Sequence, residues 1–387
     1  MVAAGLRHSV LLRRDGRLLA FGNNSRGQCN LPELPEGVIC VSVAAGAYHT
    51  VLVRSDGQAL ALGSNSHGQC EVPELPEGLQ YVGAAAASYN TVLLRSDGAA
   101  LAFGDNADGQ CCVPELPQGA KCVAAAVGYS HTVLVMSDGT AVACGDNEEG
   151  ACTVPELPPG TTYVSAAAGD YHTVLLRSDG QAVAFGERSR GRCDIPGLPP
   201  SSTYVGVAAG GSHTVLLRSD GRALAVGHNA NGQLAVPRLA QGVSYVGAAA
   251  GCGHTLLLRS DGSVVAFGED KWGQCRLPES VGGLEFRLPT AEPDVVLTLH
   301  VAAQGEGAAD IRCTSLAGAE VAALSANVEW DVLGNLRHMV SQRARVPCSR
   351  LVLTLPDATL LPASKDSLPL AGLLGLEALS GTLYRQG

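Results

Sequence analysis

Along this chain short apolar runs alternate with polar positions at a period near two, and clusters of Gly, Pro, Asn and Asp separate them. That is the pattern of half-buried strands rather than helices. Within 38–78 the apolar positions predict three strands, at about 38–43, 48–54 and 58–63. Ser55-Asp56-Gly57 lies between the last two and predicts a hairpin with a type I′ turn, whose central positions both need positive φ. Residues 64–78 read as a long turn-laden connector in which no helix fits.

The same texture recurs at a fixed step. Asp-Gly pairs stand at Asp15, Asp56, Asp97, Asp138, Asp179, Asp220 and Asp261, every step being 41 residues. A glycine ladder from Gly22 to Gly268 and a proline ladder from Pro32 to Pro278 keep the same register. Antiparallel strands in units of this length predict a propeller blade. The fold class expected is therefore an all-β seven-bladed β-propeller of seven 41-residue repeats over 1–288. Small-residue runs such as Val43-Ala44-Ala45-Gly46 belong where the blades crowd towards the axis. The first unit starts one strand short, and 284–288, with Phe286 in register with Tyr81, is expected to supply the missing strand and close the ring.

Composition narrows the function classes. Hydrophobic residues make up 46% of the 387 but aromatics only 4%, so the interior is built of Ala, Val and Leu. A net charge of -10 argues against direct nucleic-acid binding. No apolar run reaches the ~18–20 residues of a membrane span, and the first residues lack signal-peptide character. A soluble intracellular protein, cytoplasmic or nuclear, is expected. Six of the 13 cysteines, Cys29, Cys70, Cys111, Cys152, Cys193 and Cys275, occupy one repeat position, too far apart for shared zinc or disulfides, and read as reduced thiols.

Two further ladders carry chemistry. His8, His49, His131, His172, His213 and His254 are equivalent, with Asn90 in the third unit. Backbone hydrogen bonding is the expected role, and no metal or cofactor is implied. Arg13, Arg54, Arg95, Arg177, Arg218 and Arg259 form a strand-end ring with Met136 in the remaining unit. Recognition is expected where the repeats differ, in the turn before Gly-Gln and just after the cysteine position. There the candidate protein-binding residues are Arg26, His67, Asp108, Glu148, Glu149, Arg190, Lys271, Trp272 and Arg276, acidic on one side and basic on the other.

Gly46-Ala47-Tyr48-His49-Thr50-Val51-Leu52, then Asp56-Gly57, then Gly63-Ser64-Asn65-Ser66-His67-Gly68-Gln69, resembles the repeat of the regulator of chromosome condensation family, over all seven units. The resemblance implies a protein-binding propeller and, for the nuclear member, guanine-nucleotide exchange on a small GTPase. That exchange depends on an insertion for which the uninterrupted units leave no place.

After Pro289 the repeat stops, and 289–310 reads as a linker with an unplaced strand at 295–301. Over 311–387 the predicted order is hairpin, helix at about 331–342, strand at 350–355 and strand at 382–384, a small α+β β-grasp domain. The Leu316-Ala317-Gly318 turn, Arg350-Leu351-Val352-Leu353 and Leu373-Leu374-Gly375-Leu376 resemble ubiquitin-like domains, which implies a contact face at Leu316 and Val352. The tail Arg385-Gln386-Gly387 lacks the double glycine of ubiquitin, so conjugation is not expected. No nucleophile elbow or phosphate loop is present. The expected function is a non-enzymatic adaptor, its propeller holding a protein client and its C-terminal module reaching a ubiquitin-pathway receptor. The alternatives are a GTPase exchange factor and a non-catalytic part of a ubiquitin ligase assembly.

Overall fold

The structure, a computed structural model, describes residues 1–13, 15–116 and 119–278 together with five later strands. The chain divides into two compact units.

The first unit contains seven three-stranded antiparallel sheets, each an inner, a middle and an outer strand in chain order. Blade 1 is Val2–Ala4, His8–Leu12 and Leu18–Gly22, and blade 2 is Cys40–Ala45, His49–Arg54 and Ala59–Gly63. The pattern repeats through the middle strands Asn90–Arg95, His131–Met136, His172–Arg177, His213–Arg218 and His254–Arg259 of blades 3 to 7. This is a seven-bladed β-propeller.

The period-two pattern becomes the core through the middle strands. Alternate residues point to opposite faces of a sheet, and in a propeller both faces meet a neighbouring blade. Val10 and Leu12 therefore pack with Val43 and Leu52 of blade 2, while Leu11 packs with Leu256 and Leu258 of blade 7. One such cluster fills each of the seven junctions. The absence of bulky anchors follows from this geometry, because blades packed face to face leave room for Val, Leu and Ala and little more.

Several sequence expectations change in detail. The Asp-Gly hairpins are not type I′, because only the glycine has positive φ, 80° at Gly57. Gly57 N–H donates to Arg54 O at 3.0 Å and Arg54 N–H to Gln58 O at 2.8 Å. The turn is thus a type I turn followed by a left-handed glycine, a three-residue hairpin loop. The Asp56 carboxylate accepts from Gln58 N–H instead of flipping its own backbone. The connectors are irregular except in blade 5, where Ser189–Gly191 makes a short 3-10 turn. There Arg188 stands where Asn24, Asn65, Asn106, Asn147 and Asn229 stand in other units, and it cannot accept the backbone N–H that those side chains accept.

The segment 284–288, with Phe286, lies outside the described residues. Closure is visible without it. The blade 7 and blade 1 cores merge, and Ser9 Oγ bonds to His254 Nε2 at 3.0 Å and donates to Gln274 O at 2.8 Å. Blade 1 is not one strand short, as the sequence pattern implied: Val2–Ala4 is its own, shortened inner strand, and Met1 extends it by exchanging two hydrogen bonds with Leu12.

The second unit contains a five-stranded mixed sheet in the order Glu320–Asn327, Ala308–Ser315, Val295–Gly305, Leu351–Thr354, Leu360–Leu361. Its central strand is Val295–Gly305, the segment the sequence pattern left unplaced. It pairs antiparallel with Ala308–Ser315 and parallel with Leu351–Thr354. Val352 lies opposite Val296 in this sheet. Leu316, the expected helix at 331–342 and the expected strand at 382–384 lie outside the described residues.

Candidate protein-binding face

The frame that carries the site is a hydrogen-bonded relay at the blade junctions. His49 Nε2 lies 2.9 Å from Thr91 Oγ1 of the next blade, and Thr91 Oγ1 donates to Gln69 O at 2.9 Å. A hydroxyl has one proton. Since it goes to the carbonyl, Thr91 must accept from His49, which fixes the Nε2–H tautomer. The same pairing joins His8 to Thr50, His131 to Thr173, His172 to Thr214, His213 to Thr255 and His254 to Ser9. The imidazoles thus bond the next blade's hydroxyl and not the backbone, contrary to the sequence expectation. Burial drops His8, His131 and His213 to about 4 and His49, His172 and His254 to about 3. All six rings are neutral at pH 7.

Blade 3 departs from this in two coupled places. A Cβ on Gly46 would stand 2.2 Å from the His49 ring, and the other ring-facing glycines are equally tight. The third unit has Ala87 at that position, and there the ring is replaced by the smaller Asn90. Asn90 is buried, and its amide finds no partner among the described residues. Asparagine is too short to reach Thr132, so one of the seven relays is missing.

The two ends of the propeller differ. At the Asp-Gly end the same pair recurs: Arg13, Arg54, Arg95, Arg177 and Arg218 each bond the aspartate two residues on. Five of the six arginines are therefore neutralised in place, while Arg259, near Asp261, makes no such bond and its Nε has no partner among the described residues. Met136 sits buried at the equivalent position of blade 4, 3.8 Å from the Cys122 thiol.

At the opposite end, where the inner strands turn into the middle strands, the residues do not repeat. Nearest the axis stand Leu6, Ala47, Ser88, Tyr129, Asp170, Gly211 and Cys252, around a cavity of about 160 Å³. The run of small residues at the inner-strand ends lines this cavity, where the sequence pattern placed it. The next positions are Arg7, Tyr48, Tyr89, Ser130, Tyr171, Ser212 and Gly253, and over them hang Arg26, His67, Asp108, Glu149, Arg190, Asn231 and Trp272. Each connector leans on the following blade. The His67 ring is 4.7 Å from Tyr89, and the Arg7 guanidinium lies 5.3 Å from the Trp272 ring.

Of the predicted site residues, Arg26, His67, Asp108, Glu148, Glu149, Arg190, Lys271, Trp272 and Arg276 are all exposed. Lys271 stands 5.5 Å from the Trp272 ring, so Arg7, Lys271 and Trp272 make a cationic aromatic patch. Arg276 is tied to Asp270 in its own connector at 3.0 Å. The side chain of Val352 and all of Leu316 lie outside what is described.

Sequence reasoning missed the tyrosines. Tyr81, Tyr163, Tyr204 and Tyr245 are frame residues that donate to the carbonyls of Pro73, Pro155, Pro196 and Pro237. Tyr48, Tyr89, Tyr129 and Tyr171 instead face outward as two pairs, with ring centroids 6.3 Å apart for Tyr48 and Tyr89 and 5.7 Å for Tyr129 and Tyr171. Tyr129 is 45% and Tyr171 37% exposed, as much as Trp272 at 39%. The signal was present: the two positions before each ladder histidine vary between units as much as the connector turn does.

A model of the regulator of chromosome condensation (RCC1) repeat matches residues 2–28, 40–69, 122–151 and 204–233. The propeller is built of RCC1-like repeats. Among solved structures it is similar to Prp20p from Saccharomyces cerevisiae, at 17% identity and a TM-score of 0.57 over 72% of this chain and 83% of that one. It is also similar to human WBSCR16, at 17% identity and 0.56 over 66% and 86% of the two chains. The receptor kinase CR4 ectodomain of Physcomitrella patens gives 20% identity and 0.55 over 69% and 73%. At these identities the likeness is one of fold. No curated protein sequence matches the chain.

Proposed function

We propose that the RCC1-like propeller is a non-catalytic protein-recognition module whose client binds the end that carries Tyr48, Tyr89, Tyr129, Tyr171 and Trp272. One contrast carries this reading. The Asp-Gly end repeats one Arg–Asp pair around the ring, whereas the opposite end presents a different residue at each equivalent position on an unchanged frame. Exposed Tyr, Trp and Arg are the side chains enriched at interface hot spots. The client's surface complements a polarised face, with Arg7, Arg26 and Lys271 on blades 7 and 1 and Asp108, Asp146, Glu148 and Glu149 on blades 3 and 4. The free thiols of the described cysteines suit a reducing compartment, cytoplasm or nucleus. No helix among the described residues is long and apolar enough to cross a membrane.

The test is affinity capture with the full chain, comparing wild type with a Tyr129→Ala, Tyr171→Ala, Trp272→Ala triple variant and with Arg95→Ala, Arg177→Ala at the other end. Wild type and the Arg variant should retain the same client, and the triple variant should lose it at an unchanged melting temperature. Retention by the triple variant refutes the reading.

A second reading, regulation of a small GTPase, is favoured by the RCC1-like repeats and by the likeness to Prp20p, whose own structure is described together with binding to Gsp1p and histones. Accelerated nucleotide release from a Ran-type GTPase would select it. For the C-terminal unit, the motifs around Leu316 and Val352 support a ubiquitin-like module that docks a ubiquitin-pathway receptor without conjugation, and so a place in a ligase assembly.

A further inference from the structure

We propose that the axial cavity receives one cationic side chain, a lysine or arginine presented by the client protein, at the Asp170 carboxylate beside the Tyr129 and Tyr171 ring pair. The inference rests on the reading of this end as the client-binding face and specifies what anchors the client there.

Three observations converge on this cavity. Asp170 is the single charged residue among those that line it, and the equivalent positions of the other six blades hold Leu6, Ala47, Ser88, Tyr129, Gly211 and Cys252. Its carboxylate extends over the neighbouring blade into space that a side chain on Gly211 would occupy, since a Cβ there would stand 2.8 Å from Asp170 Oδ2. No side chain or backbone donor among the described residues hydrogen-bonds this carboxylate. The nearby cation, Arg192, is committed to Glu187 at 2.6 Å and to Ser189.

The surroundings favour a cation over any other occupant. Burial, partly offset by Arg192, pushes the Asp170 carboxyl up, the response of a carboxylate short of a positive partner. Asp146 and Asp170 both act on the Tyr171 hydroxyl, whereas Glu187 is paired with Arg192 and lies in a connector that also carries Arg188 and Arg190, so Asp170 is the anionic group that faces the cavity. Tyr129 lines the same cavity as Asp170, and its ring, 5.7 Å from that of Tyr171 at 38°, is exposed, so the opening offers aromatic surface as well as a carboxylate to an alkyl-ammonium or guanidinium group. At about 160 Å³ the cavity takes a side chain and not a helix, which is about 10 Å across.

The experiment titrates the full chain with n-butylammonium, n-butylguanidinium and the neutral n-butanol, read by saturation-transfer NMR and tyrosine fluorescence. The cations should bind at millimolar concentration and at least tenfold more tightly than butanol. Whichever of the two binds more tightly identifies the client side chain as lysine or arginine. Asp170→Asn should weaken the cations at least tenfold and Tyr129→Leu severalfold, while Trp272→Ala leaves them unchanged. Butanol binding as tightly as the cations, or cation binding unaffected by both Asp170→Asn and Tyr129→Leu, overturns the proposal. A client captured on this face with no cation bound in the cavity removes the inference and leaves the recognition reading standing. Asp170-dependent cation binding with no client captured does the reverse.

Discussion

Acidification from pH 7.5 to 5.5 should bring this propeller close to unfolding, because six buried imidazoles must stay neutral for it to fold. In the unfolded chain each histidine takes a proton near its ordinary 6.5, whereas in the folded ring the values are about 4 or about 3. A folded value below the unfolded one means that the stability is fully present above 6.5 and is lost as pH falls towards the folded value. Between pH 7.5 and 5.5 the loss is about 1.3 kcal/mol per ring, or about 8 kcal/mol for six, against a total of roughly 5–15 kcal/mol for a folded domain. The arginine-bonded carboxylates do not interfere. Asp97 and Asp179 are held below the ordinary carboxylate range by their arginines and lose that stabilisation only at lower pH. Asp170, shifted upward, opposes the effect by at most about one proton. Urea melts followed by circular dichroism at pH 7.5, 6.5 and 5.5 should show a steep fall in midpoint, with about five protons taken up on unfolding at pH 5.5. His131→Asn should lower that count by about one. A midpoint flat across this range, or an uptake below about two protons, would refute neutral buried imidazoles as the junction chemistry.

Two further outcomes test the frame. Asn90→His alone should destabilise the chain by about 1–3 kcal/mol, because the Ala87 Cβ occupies the space of the ring. With Ala87→Gly added, the new imidazole should reach Thr132, and the double variant should exceed wild type by about 1 kcal/mol in a chemical melt. Gly57→Ala should lower stability by at least about 1 kcal/mol, since φ there is 80° and a Cβ would stand 2.4 Å from Gln80. A melting temperature equal to wild type would contradict that turn geometry.

The sequence by itself determined the number of blades, the three strands in each and the small-residue lining of the axis. These follow from local rules, period-two alternation and glycine where φ must be positive, copied at a strict step of 41. It also exposed the variable connector residues from Arg26 to Trp272, because a ring of equivalent positions makes any difference conspicuous. What each repeated polar residue bonds to was decided by the tertiary structure. The partner of His49 is Thr91, in the next blade and 42 residues away, and no spacing within one unit contains that contact. The same holds for Asp170, whose position in sequence is an ordinary loop residue. Only the closure of seven blades brings Gly211 and Cys252 beside it and leaves its charge facing a cavity. Likewise Val295–Gly305 becomes a central strand only through a parallel partner more than forty residues further on, a pairing with no local signature. Local periodicity specifies elements, and contacts between distant elements exist only once the chain has packed.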